Sequence, residues 1–289
     1  MKISTSVSHG MSMAHVDAKT SAEMMAKAGF NGVDFGMTEF QAEPEKQLAP
    51  EWRQKLVDRA DMIKSAGLEI AQCHLPYYYA HLPRLSMDDY EKLMLPGTLR
   101  ALEVAGEIGC HMAVMHPYYY EDDANATYEA NIRFVGKLLP LLEKFDIRLA
   151  IENVWAQGYI NTNASYPKDI MHIVNVLADE KVGVCLDTGH ANIFAIPIGD
   201  FVRVCGKKMF ALHVNGNSGK ADSHTVPYSM SGWCENMDYL DMSAALKEVG
   251  YKGYYNLEIA SSPKLPASVA QPFYNYAAAV AKALSDLAE

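Results

Sequence analysis

The chain of 289 residues carries 25 Lys and Arg against 35 Asp and Glu, a formal net charge of −10, and 49% of its residues are hydrophobic. This is the composition of a folded globular protein, and it excludes the disordered and collagen-like classes. A surface of this sign repels nucleic acid and anionic membranes unless a local patch reverses it.

Cysteine usage and hydropathy predict a cytoplasmic protein. The five cysteines are odd in number and widely spread, which fits neither a disulfide framework nor a structural zinc site. The sequence also has no run of about eighteen apolar residues and no apolar run of signal-peptide length near its beginning. We therefore expect reduced thiols, and neither export nor a membrane anchor.

Short β-rich runs alternate with segments of helical spacing, and no Pro/Gly/Ser-rich linker separates two domains. The predicted strands are Lys2–Ser8, Gly32–Phe35, Leu68–Cys73, Met112–Met115, Ile147–Ile151, Val182–Leu186, Met209–Leu212 and Gly253–Leu257. The helices predicted between them include Glu51–Ser65, Tyr128–Lys144 and Ser243–Val249. Eight strand and helix repeats predict an α/β fold, a single (β/α)8 TIM barrel that forms one domain over residues 1–289.

The alternative of a doubly wound open sheet would carry a Gly-rich phosphate-binding turn after its first strand. The residues around the end of the first predicted strand, Val7 to Ser12, contain neither GxGxxG nor GxxxxGK[ST]. The barrel is therefore favoured. In a TIM barrel the chemistry lies at the C-terminal ends of the strands.

Six consecutive predicted strands, the third to the eighth, are followed at once by an ionisable residue. Parallel barrel strands bury apolar side chains on both faces, so these polar groups at the same level of neighbouring strands converge on one small volume. Uncompensated carboxylates there would suffer desolvation and mutual repulsion, and a bound cation relieves both. The residues are His74, His116, Glu152, Asp187, His213 and Glu258, with His190 three positions beyond Asp187.

Imidazole nitrogen and carboxylate oxygen indicate the kind of metal. They suit Zn, Mn, Co or Fe better than Ca or a mainly hydrated Mg, so Mn or Zn is the first expectation for the divalent metal, with Co, Fe and Mg as alternatives. A Gly-rich loop after the seventh strand adds Asp222 and His224 as a D-x-H pair. Nine candidate ligands are more than one ion needs.

The segments IENVWAQG, CLDTGHAN, LHVNGNSGKADSH and NLE, at the ends of strands five to eight, resemble the xylose-isomerase-like superfamily of TIM barrels. This superfamily contains sugar and sugar-phosphate isomerases and epimerases, and the endonuclease IV type of apurinic endonuclease. In the epimerase branch the resemblance implies one divalent metal held by Glu152, Asp187, His213 and Glu258, with His190 touching substrate. In the endonuclease branch it implies three zinc ions held by all nine candidates, so the ligands alone leave the branch open.

The loops after strands three and four separate the two branches. Leu75–Arg84 contains three consecutive Tyr and a single Arg, and Pro117–Asp123 consists largely of Tyr, Asp and Glu. DNA binding requires several Lys and Arg to neutralise phosphates, so this rim favours a small neutral carbohydrate and disfavours nucleic acid. The tyrosines of these two loops are also compatible with stacking on nucleic-acid bases. A packed lid or a subunit contact are further alternatives. A homo-oligomer is therefore left open.

The predicted reaction is a metal-dependent isomerisation or epimerisation of a sugar or sugar phosphate through an enediolate. We assign proton transfer to Glu152 and Glu258, each also a metal ligand, and give Asp187 and His213 only a ligand role. The sequence does not decide the substrate, its phosphorylation, the number of metals or the direction of the reaction. The predicted substrate-binding residues are His190, Asn153, Trp155 and Asn215.

Overall fold

The computed structural model describes residues 1–6, 16–38, 43–78, 85–118, 123–155, 164–231, 236–262 and 264–289. Eight parallel strands form one sheet in the order β7-β6-β5-β4-β3-β2-β1-β8, which confirms the predicted (β/α)8 barrel. The strands are β1 (Ile3–Ser6), β2 (Gly32–Gly36), β3 (Glu69–His74), β4 (Met112–Met115), β5 (Arg148–Glu152), β6 (Val182–Asp187), β7 (Met209–His213) and β8 (Tyr255–Leu257).

The observed strand ends place the polar residues inside the sheet. β3, β5, β6 and β7 each extend one residue beyond the prediction, so that their terminal His, Glu or Asp belongs to the strand. β8 begins two residues later than predicted, because the Tyr251 hydroxyl donates to the Tyr254 carbonyl at 2.9 Å and holds a bend at Gly253. The last two residues of the first predicted strand, Val7 and Ser8, lie outside the described residues.

The barrel is nearly closed between β7 and β8. β1 pairs with both β2 and β8, and a single parallel bridge joins Val214 to Leu257. The Val214 amide donates to the Asn256 carbonyl at 2.9 Å, and the Glu258 amide donates to the Val214 carbonyl at 3.0 Å. This bridge brings Glu258 next to the end of β7.

Nine α-helices occur in the described part of the chain, and they contain the three predicted helical segments. Gly29 and Gly250, which follow the first and eighth helices, adopt the left-handed φ of a C-cap at 103° and 69°, as helix stops before a strand predict. The helices are α1 (Ala18–Ala28), α2 (Pro50–Ser65), α3 (Met87–Glu107), α4 (Ala124–Phe145), α5 (Pro167–Leu177), α6 (Thr188–Ile193), α7 (Ile198–Cys205), α8 (Tyr239–Val249) and α9 (Ala267–Leu287).

The apolar core divides between the two faces of the strands. On β4, Ala113 and Met115 belong to the large cluster that the helices cover, whereas Val114 belongs to a small second cluster with Ala150 and Cys185. This alternation follows from the two-residue period of a strand. Four cysteines are buried and free, and the fifth, Cys234, lies outside the described residues. None of the described helices has the length and apolar character needed to cross a membrane.

Candidate metal centre and active site

A cavity of about 290 Å³ opens at the C-terminal ends of the strands. The described residues around it come from β1, β2, β3, β5 and α6 and from the segments that follow β2, β3, β4, β7 and β8, so they are far apart in sequence and meet only in the closed barrel. Its lining is mainly polar and ionisable. The lining residues are Ser6, Asp34, Gly36, Thr38, His74, Tyr77, His116, Glu152, His190, Asp222, His224 and Glu258.

Glu152, at the end of β5, is the centre of the cluster. Its Oε2 lies 3.2 Å from His74 Nε2, 3.3 Å from His116 Nε2 and 3.2 Å from His213 Nδ1. Burial by itself raises the pKa of this carboxyl, but the charge of His213 holds it well below its ordinary value. Glu152 is therefore a buried carboxylate surrounded by imidazoles.

His213, at the end of β7, joins Glu152 to Glu258. Its Nδ1 lies 3.2 Å from one oxygen of each glutamate, and the imidazole is completely buried. Burial also opposes ionisation of Glu258, but the charge and hydrogen bond of His213 hold the pKa of this carboxyl well below its ordinary value. Two carboxylates, one at the end of β5 and one just after β8, thus face one imidazole nitrogen.

Four of these residues form the set predicted to hold one divalent ion. Glu152, Asp187, His213 and Glu258 each offer a ligand atom, and the four atoms lie within 4.8 Å of one another. Three carboxylates this close and this buried repel one another unless a cation balances them. The donor set of one nitrogen and carboxylate oxygens is typical of Mn and Zn, so these residues fit a divalent metal.

Asp187, at the end of β6, is held in place by two asparagines. Its backbone N–H donates to Asn153 Oδ1 at 2.7 Å and its carbonyl accepts from Asn153 Nδ2 at 2.9 Å. Asn215 Nδ2 donates to the Asp187 side chain at 2.8 Å. Burial raises the pKa of Asp187 to about 7, which a bound cation would lower by stabilising the carboxylate.

A second group of polar residues continues from this centre towards the rim. His190, on α6, places Nδ1 2.8 Å from the Asn153 carbonyl, which leaves Nε2 facing Asp222 at 3.3 Å. Asp222 Oδ2 also lies 3.0 Å from His224 Nε2. Burial disfavours protonation of His224, but the hydrogen bond to Asp222 and the charge of Glu258 raise its pKa to about 10.

A third group lies on the β3 and β4 side. His74 Nε2 and His116 Nε2 are 3.1 Å apart, and with Glu152 they form another group of candidate ligand atoms within 4.8 Å. The Tyr77 ring stacks on His116 with 4.1 Å between ring centroids. Burial lowers the pKa of His116, so this imidazole is neutral and available as a ligand.

The structure brings the nine candidate ligands into one cluster, and their roles as ligands stay predictions. Asn153 and Asn215 are buried and bonded to Asp187, and Trp155 is half-buried and absent from the described cavity lining. Their contact with substrate also stays a prediction. Sequence reasoning missed Asp34, on β2, whose Oδ2 lies 3.1 Å from His213 Nε2. The sequence feature that could have identified Asp34 is an acidic residue within the otherwise apolar segment Gly-Val-Asp-Phe.

Comparisons with known proteins agree with this architecture. A family model of the xylose isomerase-like TIM barrel matches residues 22–281. An uncharacterized protein of Methanocaldococcus jannaschii is 23% identical over 193 residues, which cover 64% of this chain and 62% of that protein. The chain thus spans about three fifths of the length of this relative.

Two solved structures share the fold over nearly the whole chain. A D-psicose 3-epimerase crystallised in the presence of D-fructose is 17% identical, with a TM-score of 0.75 and coverage of 99% of each chain. The IOLI protein with a bound zinc atom is 16% identical, with a TM-score of 0.72 and coverage of 100% of this chain and 98% of that one. At such identities the similarity establishes the shared fold.

Proposed function

The chain belongs to the xylose isomerase-like TIM barrel family, and from this premise we propose that it is a divalent-metal-dependent isomerase or epimerase of a small sugar. One observation carries the proposal. Glu152, Asp187, His213 and Glu258 place their ligand atoms within 4.8 Å of one another. The shared fold with a D-psicose 3-epimerase and with a zinc-binding protein supports this reading.

The reaction requires a proton to leave the carbon next to a carbonyl and to return. Glu152 and Glu258 both line the cavity, and each places a carboxylate oxygen 3.2 Å from His213 Nδ1. Both carboxyls rest ionised, so one glutamate takes the substrate proton as a carboxylate, and the other returns a proton only after it has itself been protonated. The four-residue set would hold a divalent ion, and that ion would supply Lewis-acid stabilisation of the negative charge that develops on the substrate oxygen.

His190 is suited to bind a substrate oxygen. Its Nδ1 is engaged by the Asn153 carbonyl at 2.8 Å, so the ring is fixed and Nε2 is directed at the cavity. Asp222 lies on that side at 3.3 Å and fixes the ring further. Because the imidazole is held from both sides, little entropy is lost when it binds a hydroxyl.

The cavity favours an unphosphorylated substrate. Its described lining contains four acidic residues and four histidines, and no Lys or Arg among them. Phosphates are commonly bound by Lys, Arg or backbone amide donors, and the four carboxylates of the lining would repel one. The volume of about 290 Å³ lies at the lower end of ligand cavities, which suits one monosaccharide.

Hydrogen exchange tests the proposal directly. Protein loaded with Mn, Zn or Co is incubated in deuterated water with a panel of ketohexoses and ketopentoses that includes D-psicose, D-fructose and D-tagatose. We expect NMR to show deuterium entering at a carbon next to the carbonyl of at least one sugar, and a chelator to stop it. No exchange with any sugar under any metal would contradict the proposal.

Substitution Glu152→Gln tests the assignment of proton transfer. We expect the exchange rate to fall by about 10²–10⁴-fold, because general acid–base groups contribute factors of this size. The amide oxygen keeps one donor atom for the metal, so metal content measured by mass spectrometry should fall much less. Glu69→Gln, at the start of β3 on the opposite end of the barrel, is the matched control. A hydrogen-exchange rate near the wild-type value in Glu152→Gln would contradict the assignment of proton transfer to Glu152.

A second candidate function is a zinc-dependent phosphodiesterase acting on abasic DNA. Two further ligand groups favour it, one of His74, His116 and Glu152 and one of Asp187, His190 and His224. Clustered zinc ions activate water and stabilise a leaving oxygen. Three zinc ions per chain together with cleavage of abasic duplex DNA would support this function. One ion per chain and no cleavage would support the sugar reaction.

A further inference from the structure

Asp34 is a buried carboxylate that the proposed reaction does not use. It lies on β2, where the pairing with β3 shifts register: Val33 pairs with Ile70 and Asp34 with Gln72, so the extra residue, Ala71, belongs to β3. A local bulge of this kind re-aims side chains and is frequent beside active sites. The side chain is 3% exposed and borders the cavity. Keeping an ionised group at this position costs free energy unless a partner stabilises it.

The contacts of Asp34 lead to a candidate metal ligand. Its Oδ2 lies 3.1 Å from His213 Nε2 and accepts a hydrogen bond from Gln72 Nε2 at 3.2 Å. The other nitrogen of the same imidazole, Nδ1, lies 3.2 Å from Glu152 and from Glu258. Both ring nitrogens of His213 therefore face carboxylates, and each carboxylate attracts the ring proton.

The position of that proton decides whether His213 can bind a metal. A neutral imidazole carries one N–H, and only the other nitrogen has a lone pair for an ion. Glu152 and Glu258 by themselves favour a proton on Nδ1, which would block the nitrogen that faces the metal set. A carboxylate on the Nε2 side opposes this preference and raises the basicity of the ligand.

We propose that Asp34, through its 3.1 Å contact with His213 Nε2, is a positioning residue that holds the ring proton on Nε2 and keeps Nδ1 free to bind the divalent ion. Gln72 orients Asp34 by donating to the same oxygen. The inference rests on the proposed function, since it assumes that His213 is a ligand. The role inferred for Asp34 is the same whether the site holds one ion or several.

Metal affinity tests the role of Asp34. Zinc binding by wild-type protein and Asp34→Asn is measured by competition with a chromophoric chelator. We expect the affinity to fall by about 10–100-fold, the usual effect of removing such an outer partner of a ligating histidine. Asp169→Asn is the matched control, because Asp169 is also a buried carboxylate and accepts from the Tyr128 hydroxyl on the outer helices. The zinc affinity of Asp169→Asn should stay within twofold of the wild-type value.

A second measurement needs no variant. In zinc-loaded wild-type protein with ¹⁵N-labelled histidine, long-range ¹H–¹⁵N NMR reports which nitrogen of His213 carries the proton. We expect the proton on Nε2. A proton on Nδ1, or an unchanged affinity in Asp34→Asn, would overturn this inference alone. Wild-type protein that binds no Zn, Mn or Co would overturn the proposed function together with it.

Discussion

Gly189 lies two residues beyond the candidate ligand Asp187, where α6 packs against the loop after β7. A Cβ atom at this position would overlap Asn215 Oδ1 and approach Asn217 Nδ2 to 2.7 Å. Asn215 in turn donates to the Asp187 carboxylate at 2.8 Å. The small residue at position 189 is therefore required because it leaves room for Asn215, which holds the candidate ligand Asp187, and not because of an unusual backbone conformation.

We expect Gly189→Ala to weaken binding of Zn or Mn by about tenfold, because displacing Asn215 frees Asp187 to leave its position. The measurement is a calorimetric metal titration. Gly136→Ala is the control, since a Cβ on this α4 residue meets nothing within 4 Å. It should stabilise the protein by about 0.5–1 kcal/mol and leave metal affinity unchanged. Equal affinity in both variants would contradict the role given to Asn215.

Among the helices, α3 and α4 are connected by an ion-pair network. Glu91 on α3 contacts Lys137 and lies 2.7 Å from Arg133, both on α4, and Arg133 also reaches Asp88 at 2.8 Å. The hydrogen bond from Lys137 is the main cause that lowers the pKa of Glu91, with Arg133 adding to it. A lowered folded-state pKa stabilises the fold above the ordinary carboxyl pKa, and this contribution is lost as the pH falls through the folded value.

Glu91→Gln is therefore expected to lower the free energy of unfolding by about 0.5–1 kcal/mol at pH 7, the upper range for a partly exposed pair. The difference from wild type should shrink as the pH falls below about 4, where the wild-type carboxyl is protonated too. Urea unfolding at pH 7 and at pH 3 measures both values. Glu129→Gln, at an exposed position of α4, is the control. A difference in unfolding free energy between Glu91→Gln and wild type that is larger at pH 3 than at pH 7 would contradict the predicted direction of the effect.

At the scale of the whole molecule, binding of a metal by the candidate set would be coupled to folding. The four ligands of the candidate set come from β5, β6, β7 and the residue after β8, so they form a site only in the folded barrel. An ion that binds the native state alone stabilises it by about 2.7 kcal/mol at 100 times its Kd. For a chain of this size that corresponds to an increase in Tm of several degrees.

We expect Mn or Zn to raise the Tm measured by calorimetry, and a chelator to reverse the increase. Calcium should raise it less, because a site with an imidazole ligand suits the transition metals better. The Asp34→Asn variant should require a higher ion concentration for the same increase. If no divalent ion changes the Tm, the prediction of a metal centre is contradicted.

The sequence alone determined the eight strands, and it placed His74, Glu152, Asp187 and His213 at strand ends. These features follow from local patterns, since a short apolar run followed by a polar residue is visible without any partner strand. The C-terminal ends of parallel barrel strands share one face, so the convergence of these residues on one site was also predictable.

Only the tertiary structure decided how these residues are coupled. The register shift in the β2–β3 pairing sets Gln72 opposite Asp34, whose carboxylate contacts His213, and the single bridge between β7 and β8 sets Glu258 beside that imidazole. It also showed that Asn153 and Asn215 are bonded to Asp187. Register and barrel closure depend on pairing between segments distant in sequence, which no local pattern records.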